Sequence, residues 1–329
     1  MWLGWWNLKI GIIGTGAFGI ALASNLIKNN NDIIMWSKFE EEINELNATR
    51  VCSKLNGYSI PDQIKFTTNM EEVIEDSNLI IIVVPANFVY DTTLLIKKYY
   101  KSYQHICIAS KGIEESRGRF LHDIVGELLE TDKIGVISGP SFAVDIVESV
   151  PVGVTLASRN IETSNIISKA LSNDYFKVST TSDMIGVSIC GCVKNIIAIG
   201  SGIIDGMGYP ISTTSLLITL ALNDIKNLIK GLNGSEDTIL ELAGIGDIIL
   251  TCTSIKSRNY SFGKLIGETD DKQVIDSYVH NNTIEGLSTL VNINKIVDNL
   301  QIDTPFIKLM HDIILGDKSK SDLLNYIIK

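Results

Sequence analysis

"KIGIIGTGAFG", residues 9–19, reads as a short apolar strand running through a glycine-rich turn into a helix. Its strand portion is continuously apolar and β-branched rather than alternating, as expected of a strand buried on both faces. Gly14, Gly16 and Gly19 follow at the spacing of a dinucleotide fingerprint. Gly14 permits the tight turn, Gly16 lets backbone approach a pyrophosphate, and Gly19 lets helix and strand pack closely. A phosphate anion would then meet the free N–H groups of the helix start. A glycine-rich turn that binds nothing is the competing reading, and the strand–turn–helix setting favours the dinucleotide.

Working outward, the pattern repeats. "DIIMW" (32–36), "LIIIVV" (79–84), "HICIAS" (105–110) and "KIGVIS" (133–138) are short apolar runs, with "VPVGVTLAS" (150–158) and "YFKVSTT" (175–181) beyond them. Segments 17–30 and 39–47 between them have helical composition. Alternation of this kind predicts an α/β, doubly wound (Rossmann) domain with a parallel sheet. After residue 183 the strands stop. "TTSLLITLALNDIKNLIKGL", "TILELAG", "RNYSFGKLIG", "GLSTLVNINKIVDNL" and "PFIKLMHDIIL" all have helical length and spacing. The expected domains are 1–184, dinucleotide-binding, and 185–329, an all-α substrate and catalytic domain. No Pro-, Gly- or Ser-rich linker separates them, so close packing with a cleft at the seam is expected.

The 329 residues suit two domains. A formal net charge of −10 with no basic run speaks against nucleic-acid binding, so an anionic substrate would need a local basic pocket. Five scattered cysteines read as reduced core thiols, and the four histidines lack metal-ligand spacing, so no metal is expected. The start, "MWLGWWN", lacks a basic n-region and a cleavage site and runs into the fingerprint; it is not a signal peptide, and the protein reads as cytoplasmic. Its three tryptophans have no assigned role. Residues 185–204 have the length of a membrane span, but Lys194 and Asn195 at the centre argue against one.

Lys194 poses its own question, because a buried ammonium without partners costs several kcal/mol, roughly, even after relaxation. "ASKGIEE" (109–115) puts Lys111 just past a strand's carboxyl end, where open α/β sheets bind ligands. "ISGPSFAVD" (137–145) ends another strand at Gly139, with Ser141 at a helix start. "AGIGDIILTCTSIKSRNYSFGKLIG" (243–267) carries Asp247 and the cluster Ser257, Arg258, Asn259. After the second strand, "MWSKFEEE" offers Ser37 and Lys38 where an NAD-selective site places an acid; the first acid is Glu40. A cation there would accept the 2′-phosphate of NADP, unless Lys38 is a plain surface lysine.

Together with "GCVKNIIAIGSG" and "NTIEG" (282–286), these segments resemble the bacterial NAD(P)-dependent glycerol-3-phosphate dehydrogenases over nearly the whole chain, from about residue 9. "SGPSFA", "VKNIIAIG", "GIGDIILTCTS" and "SRNYSFG" are far more specific than the glycine fingerprint. The resemblance implies hydride transfer between dihydroxyacetone phosphate and sn-glycerol 3-phosphate, feeding phospholipid synthesis, with NADP or NAD as cofactor (NADPH favoured) and a homodimer. It makes Lys194 the catalytic proton donor and acceptor. Lys111, Gly139, Ser141, Asp247, Ser257, Arg258 and Asn259, with Lys194, resemble substrate-binding positions. Ala17, Phe18, Lys38, Lys111, Ala143, Arg258, Thr283 and Glu285 resemble cofactor contacts beside Gly14, Gly16 and Gly19. Ala17 stands where the family often has a polar residue, which removes one side-chain hydrogen bond to phosphate.

The chemistry independently wants these residue types. Reducing a ketone builds charge on its oxygen, which a cation about 3 Å away stabilises before a proton is given. A desolvated lysine does both, since burial moves its pKa toward neutrality. Arg258 supplies planar bidentate donors for a phosphate. Plainer readings stand beside these: a buried ion pair for Lys194, an N-cap for Ser257, a helix-start carboxylate for Asp247. Other substrates on the same fold, a hydroxy-acid or sugar-acid, and a non-catalytic NADP sensor are the alternative functions.

Overall fold

The computed structural model describes residues 7–114 and 118–329; the tryptophan-rich start lies outside the described residues. By its internal contacts the chain divides into two compact units. One runs to Ser110 and resumes over Leu121–Met184; the other comprises Lys111–Phe120 and Ile185–Lys329. The short excursion Lys111–Phe120 is something the alternation of strands and helices did not signal. It is built on a two-residue antiparallel pairing, Ile113–Glu114 with Arg119–Phe120, and Ile113 and Phe120 join the apolar core of the helical unit.

The first unit is built on an eight-stranded sheet, with a small antiparallel pair, Val51–Cys52 with Tyr58–Ser59, beside it in sequence. The strands of the sheet are β1 (Lys9–Ile13), β2 (Asp32–Trp36), β3 (Ile64–Thr67), β4 (Leu79–Ile82), β5 (His105–Ile108), β6 (Ile134–Ser138), β7 (Val152–Ala157) and β8 (Phe176–Thr181). Their order is β8-β7-β6-β5-β4-β1-β2-β3. The six from β3 through β1 to β6 are parallel in the doubly wound order, so a topological switch point falls at β1. Two details correct the sequence reading. The sequence does not signal strand β3; only four residues long with every second one exposed or half-exposed, it lacks the apolar run that marks most of the others. And β7 runs antiparallel to β6, with β8 parallel to β7, so the sheet is mixed. A buried apolar run reports burial on two faces and is silent on strand direction.

Helix α1 (Ala17–Ile27) follows the glycine turn, and α2 (Glu40–Thr49) follows β2. Gly14 has φ +122, and its N–H donates to the Trp36 carbonyl at 2.9 Å, tying the turn to the end of β2. A Cβ on Gly19 would stand 2.5 Å from the Gly14 carbonyl oxygen, so only glycine lets α1 lie this close.

Helices of the second unit used below are α3 (Met184–Gly206), α4 (Ile211–Gly231), α5 (Asp247–Cys252), α6 (Arg258–Glu268), α7 (Glu285–Leu300) and α8 (Pro305–Leu315). Among the described residues α3 alone is long and apolar enough to cross a membrane, yet 94% of its most apolar window is buried inside the protein. It is the core helix of this unit. Glycines explain how: a Cβ on Gly202 would sit 2.0 Å from the Tyr260 carbonyl oxygen, and one on Gly263 equally 2.0 Å from that of Ile199. Helices α3 and α6 therefore cross backbone to backbone, running in the same direction. "TILELAG", expected as a helix, forms instead a tight turn over Glu236–Leu240 and a wide one over Leu242–Gly246. Gly244 is non-helical there and leaves no room for a side chain, since a Cβ would meet the Ile239 carbonyl oxygen at 2.1 Å.

Candidate active site

The α3–α6 crossing sets the register of everything around Lys194. Two turns before Gly202, Lys194 projects from the middle of α3 and is only 6% exposed. The irregular turn at 242–246 delivers Asp247 as the first residue of α5, where the helix dipole favours a carboxylate. Lys194 Nζ donates to Asp247 Oδ1 at 2.5 Å and to Thr251 Oγ1 at 3.0 Å. Thr251 lies one helical turn after Asp247 and donates to the same oxygen at 3.3 Å. The second oxygen, Oδ2, accepts from Lys111 Nζ at 3.2 Å. One carboxylate thus holds two ammonium groups, all three within the helical unit.

The electrostatics are asymmetric. Burial pulls the Lys194 ammonium down to about 8, with Asp247 resisting and Lys111 adding to the fall. Lys111 is desolvated too, but the Asp247 charge, its link to Lys194 and the Glu285 charge outweigh that and raise it. Asp247 is desolvated yet kept below the usual carboxylate range by both lysines. The result is one lysine poised to exchange a proton near neutrality and one that stays charged.

Around this triad stand two helix starts. Ser257 caps α6, accepting from Tyr260 N at 3.3 Å. Asn259 is buried and accepts from Gly286 N at 2.9 Å, which joins α6 to the start of α7. Asn195, next to Lys194, donates to Glu285 Oε2 at 3.2 Å. Arg258 is exposed at the first position of α6, with no ion pair among the described residues. Thr283 is exposed just before α7.

The remaining sequence-derived positions belong to the sheet unit. Helix α1 follows Gly16 as its N-cap, and among the described residues no side chain caps it and no acid stands in its first turn, which leaves its leading N–H groups uncapped. A Cβ placed on Gly16 would meet nothing within 4 Å. Open space in front of free amide donors fits a pyrophosphate. Ala17 and Phe18 are half-buried on the first turn. Gly139 leaves no room for a side chain, its Cβ position lying 2.5 Å from the Gly153 carbonyl oxygen. Ser141 donates to the Gly139 carbonyl at 3.1 Å, and Ala143 opens the following helix, Ala143–Val147. Lys38 is exposed, its Nζ 4.9 Å from the centre of the Phe39 ring and 5.0 Å from that of Phe88.

Sequence reasoning missed three residues here. Thr251 could have been found from its spacing of four from Asp247. Phe88 has no such signal, because only the fold brings it to Lys38. Glu42 overturns a premise: no acid was expected at the end of β2, but the first turn of α2 returns the Glu42 carboxylate to Ser37, whose Oγ donates to it at 2.8 Å. All five cysteines are free and buried, and burial pushes Cys107, Cys192 and Cys252 up to about 12. Among the described residues no three His, Cys, Asp or Glu side chains gather as metal ligands.

Two family descriptions match this chain: NAD-dependent glycerol-3-phosphate dehydrogenase N-terminus over residues 9–164, and the C-terminus of the same over residues 183–325. A glycerol-3-phosphate dehydrogenase (NAD(P)+) of Fusobacterium nucleatum is 31% identical over 97% of this chain and 96% of its own. That of Staphylococcus carnosus is 33% identical, with 93% of each chain covered. The crystal structure of glycerol-3-phosphate dehydrogenase from Coxiella burnetii superposes with a TM-score of 0.92 at 31% identity, covering 98% of this chain and 99% of that one. D-mandelate dehydrogenase solved with NADH reaches 0.64 at 16% identity over 97% of this chain, a likeness of fold.

Proposed function

The chain belongs to the NAD-dependent glycerol-3-phosphate dehydrogenase family, and from that premise we propose that it interconverts dihydroxyacetone phosphate and sn-glycerol 3-phosphate. A nicotinamide cofactor supplies or accepts the hydride. The glycine turn holds its pyrophosphate through Gly14, Gly16 and the first-turn amides of α1, with Ala17, Phe18, Lys38 and Ala143 beside it. Lys111, Arg258, Thr283 and Glu285 complete the assignment by resemblance.

In this reading Lys194 holds the ketone oxygen of dihydroxyacetone phosphate. As charge gathers on that oxygen the ammonium stabilises it, then gives it a proton through Nζ. Asp247 keeps enough charge on Lys194 for it to be a donor, while burial keeps its pKa low enough for the proton to leave. Thr251 fixes the direction of Nζ. Lys111 stays an ammonium and offsets the substrate's negative charge. Arg258, which has no ion pair among the described residues, grips the phosphate bidentately, with Ser257 and Asn259 offering polar groups at the same helix start. Gly139 and Ser141 are assigned to the substrate by resemblance alone. For the reverse reaction Lys194 is neutral and takes the proton from the alcohol.

The observation that carries this reading is one buried carboxylate shared by two lysines, beside a helix start bearing an exposed arginine. The proposal extends to a cytoplasmic homodimer that feeds glycerophospholipid synthesis; sedimentation tests the dimer. The decisive experiment adds dihydroxyacetone phosphate to purified protein and follows loss of NADH and NADPH absorbance. Oxidation with the phosphorylated ketone and far less with dihydroxyacetone supports the reading. Equal turnover of an unphosphorylated 2-keto acid would return it to a hydroxy-acid dehydrogenase, and tight nucleotide binding with no turnover to a sensor.

A further inference from the structure

Glu42 sits where the adenosine end of a dinucleotide is read. Gly14 N and the Trp36 carbonyl join the glycine turn to the end of β2 at 2.9 Å, and the ribose of a bound dinucleotide lies beside that seam. On one side Thr15 Oγ1 donates to Glu42 Oε2 at 2.7 Å; on the other Ser37 Oγ donates to the same oxygen at 2.8 Å. Thr15 and Ser37 are buried at 4% and 5% exposure, so both hydroxyls are committed to the carboxylate. Glu42 Oε1 is 3.3 Å from Lys54 Nζ, which is mostly exposed and therefore neutralises it weakly. Burial acts to raise the Glu42 pKa, but the two hydroxyls and Lys54 overcome it, so the group is an anion at neutral pH. Lys38, the cation expected to receive a 2′-phosphate, has its ammonium against the faces of Phe39 and Phe88.

We propose that Glu42 determines cofactor choice: delivered from α2, it does the work of the strand-end acid of NAD-selective folds and makes this enzyme prefer NADH to NADPH. The inference rests on the dinucleotide reading above and reverses the preference expected from Lys38. A ribose 2′-hydroxyl is accepted beside a carboxylate, whereas a 2′-phosphate brings about two negative charges against it. At roughly 6 Å in water that repulsion is worth about tenfold in affinity.

Equilibrium titration of the full-length protein with NADH and with NADPH, read by nucleotide fluorescence, tests this without reference to turnover. Wild type should bind NADH about tenfold more tightly. Glu42→Gln keeps an oxygen for Thr15 and Ser37 but loses the charge; the NADPH/NADH ratio of dissociation constants should fall about tenfold. Glu42→Asp should keep the preference for NADH. A second measurement needs no variant: raising salt should narrow the wild-type gap if NADPH is repelled, and widen it if a lysine attracts the 2′-phosphate. Preference for NADPH in wild type, a ratio unmoved by Glu42→Gln, or a gap that widens with salt overturns the Glu42 inference and leaves the dinucleotide reading standing. Binding of neither nucleotide overturns both.

Discussion

Replacing Lys194 by Ala removes both the cation and the proton, while nothing in the glycine turn changes. The expected result is a fall in kcat of at least about 10²–10⁴-fold, with dissociation constants for NADH and NADPH as in wild type. Retention of a tenth of the activity would refute the assignment. The proton also gives a pH signature. Because the donor is an ammonium pulled down to about 8, ketone reduction should decline as pH rises through that value, and alcohol oxidation should rise. Asp247 raises the Lys194 pKa, so Asp247→Asn should move the reduction inflection to lower pH. It should also destabilise the fold, since unpairing a buried ion pair costs about 3–5 kcal/mol. An inflection that stays in place in a folded Asp247→Asn would detach the carboxylate from the proton transfer. Lys194 was legible as an anomaly: one lysine in an apolar helix demands partners. Its partners Lys111 and Asp247 stood out by their neighbours in sequence. Thr251 was legible only through Asp247, from its spacing of four on the same helix face.

Among the elements, the glycine turn separates folding from binding. Gly16 has φ −66 and open space ahead of it, so Gly16→Ala should cost no more than the roughly 1 kcal/mol of a poorer N-cap while abolishing nucleotide binding. Gly19→Ala should do the opposite: with its Cβ 2.5 Å from the Gly14 carbonyl, the helix must move, and the melting temperature should fall by several degrees or more. Similar melting temperatures for the two variants would show that the turn relaxes freely and that packing does not explain Gly19. Six of the sheet strands could be read from their apolar runs, since burial on both faces leaves a plain mark in sequence, and β8 from its β-branched and aromatic residues. The eighth, β3, could not, because an edge strand with alternating exposure looks like loop. Nor could the 242–246 turn: leucine and alanine favour helix locally, and the break falls at Gly244, whose backbone is non-helical and packed against Ile239. Glu42 was hidden for a related reason. Its place beside Ser37 depends on how α2 leaves β2, which no spacing rule encodes.

For the molecule as a whole, stability carries a proton of its own. Asp224 on α4 is fully buried; its Oδ2 accepts from Ile307 N at 2.8 Å in the first turn of α8, and its Oδ1 has no partner among the described residues. Burial raises its pKa to about 7, with Asp303 adding to the rise and the Ile307 and Phe306 amides opposing it. The folded state therefore holds this proton more tightly than the unfolded chain. That contribution is complete below the ordinary carboxyl value of 3.8 and is lost as pH rises toward 7. Resistance to urea, followed by circular dichroism, should decline over that interval more steeply in wild type than in Asp224→Asn, by up to about 1.4 kcal/mol per pH unit. Parallel pH dependences for the two proteins would show that Asp224 titrates normally. At this scale the sequence displayed a strand-rich half and a helix-rich half but concealed the excursion at Lys111–Phe120, because ten residues of mixed character resemble an ordinary loop. That excursion bears on how such enzymes can be recombined. The helical half is not a portable cassette. Grafting residues 185–329 onto a foreign nucleotide-binding domain would carry Lys194 and Asp247 across and leave Lys111 behind, together with the two apolar anchors Ile113 and Phe120. A recipient must bring its own lysine, borne on the strand-to-helix connection that follows its fifth strand. Any lineage that exchanged one half for another would have had to exchange that loop with it.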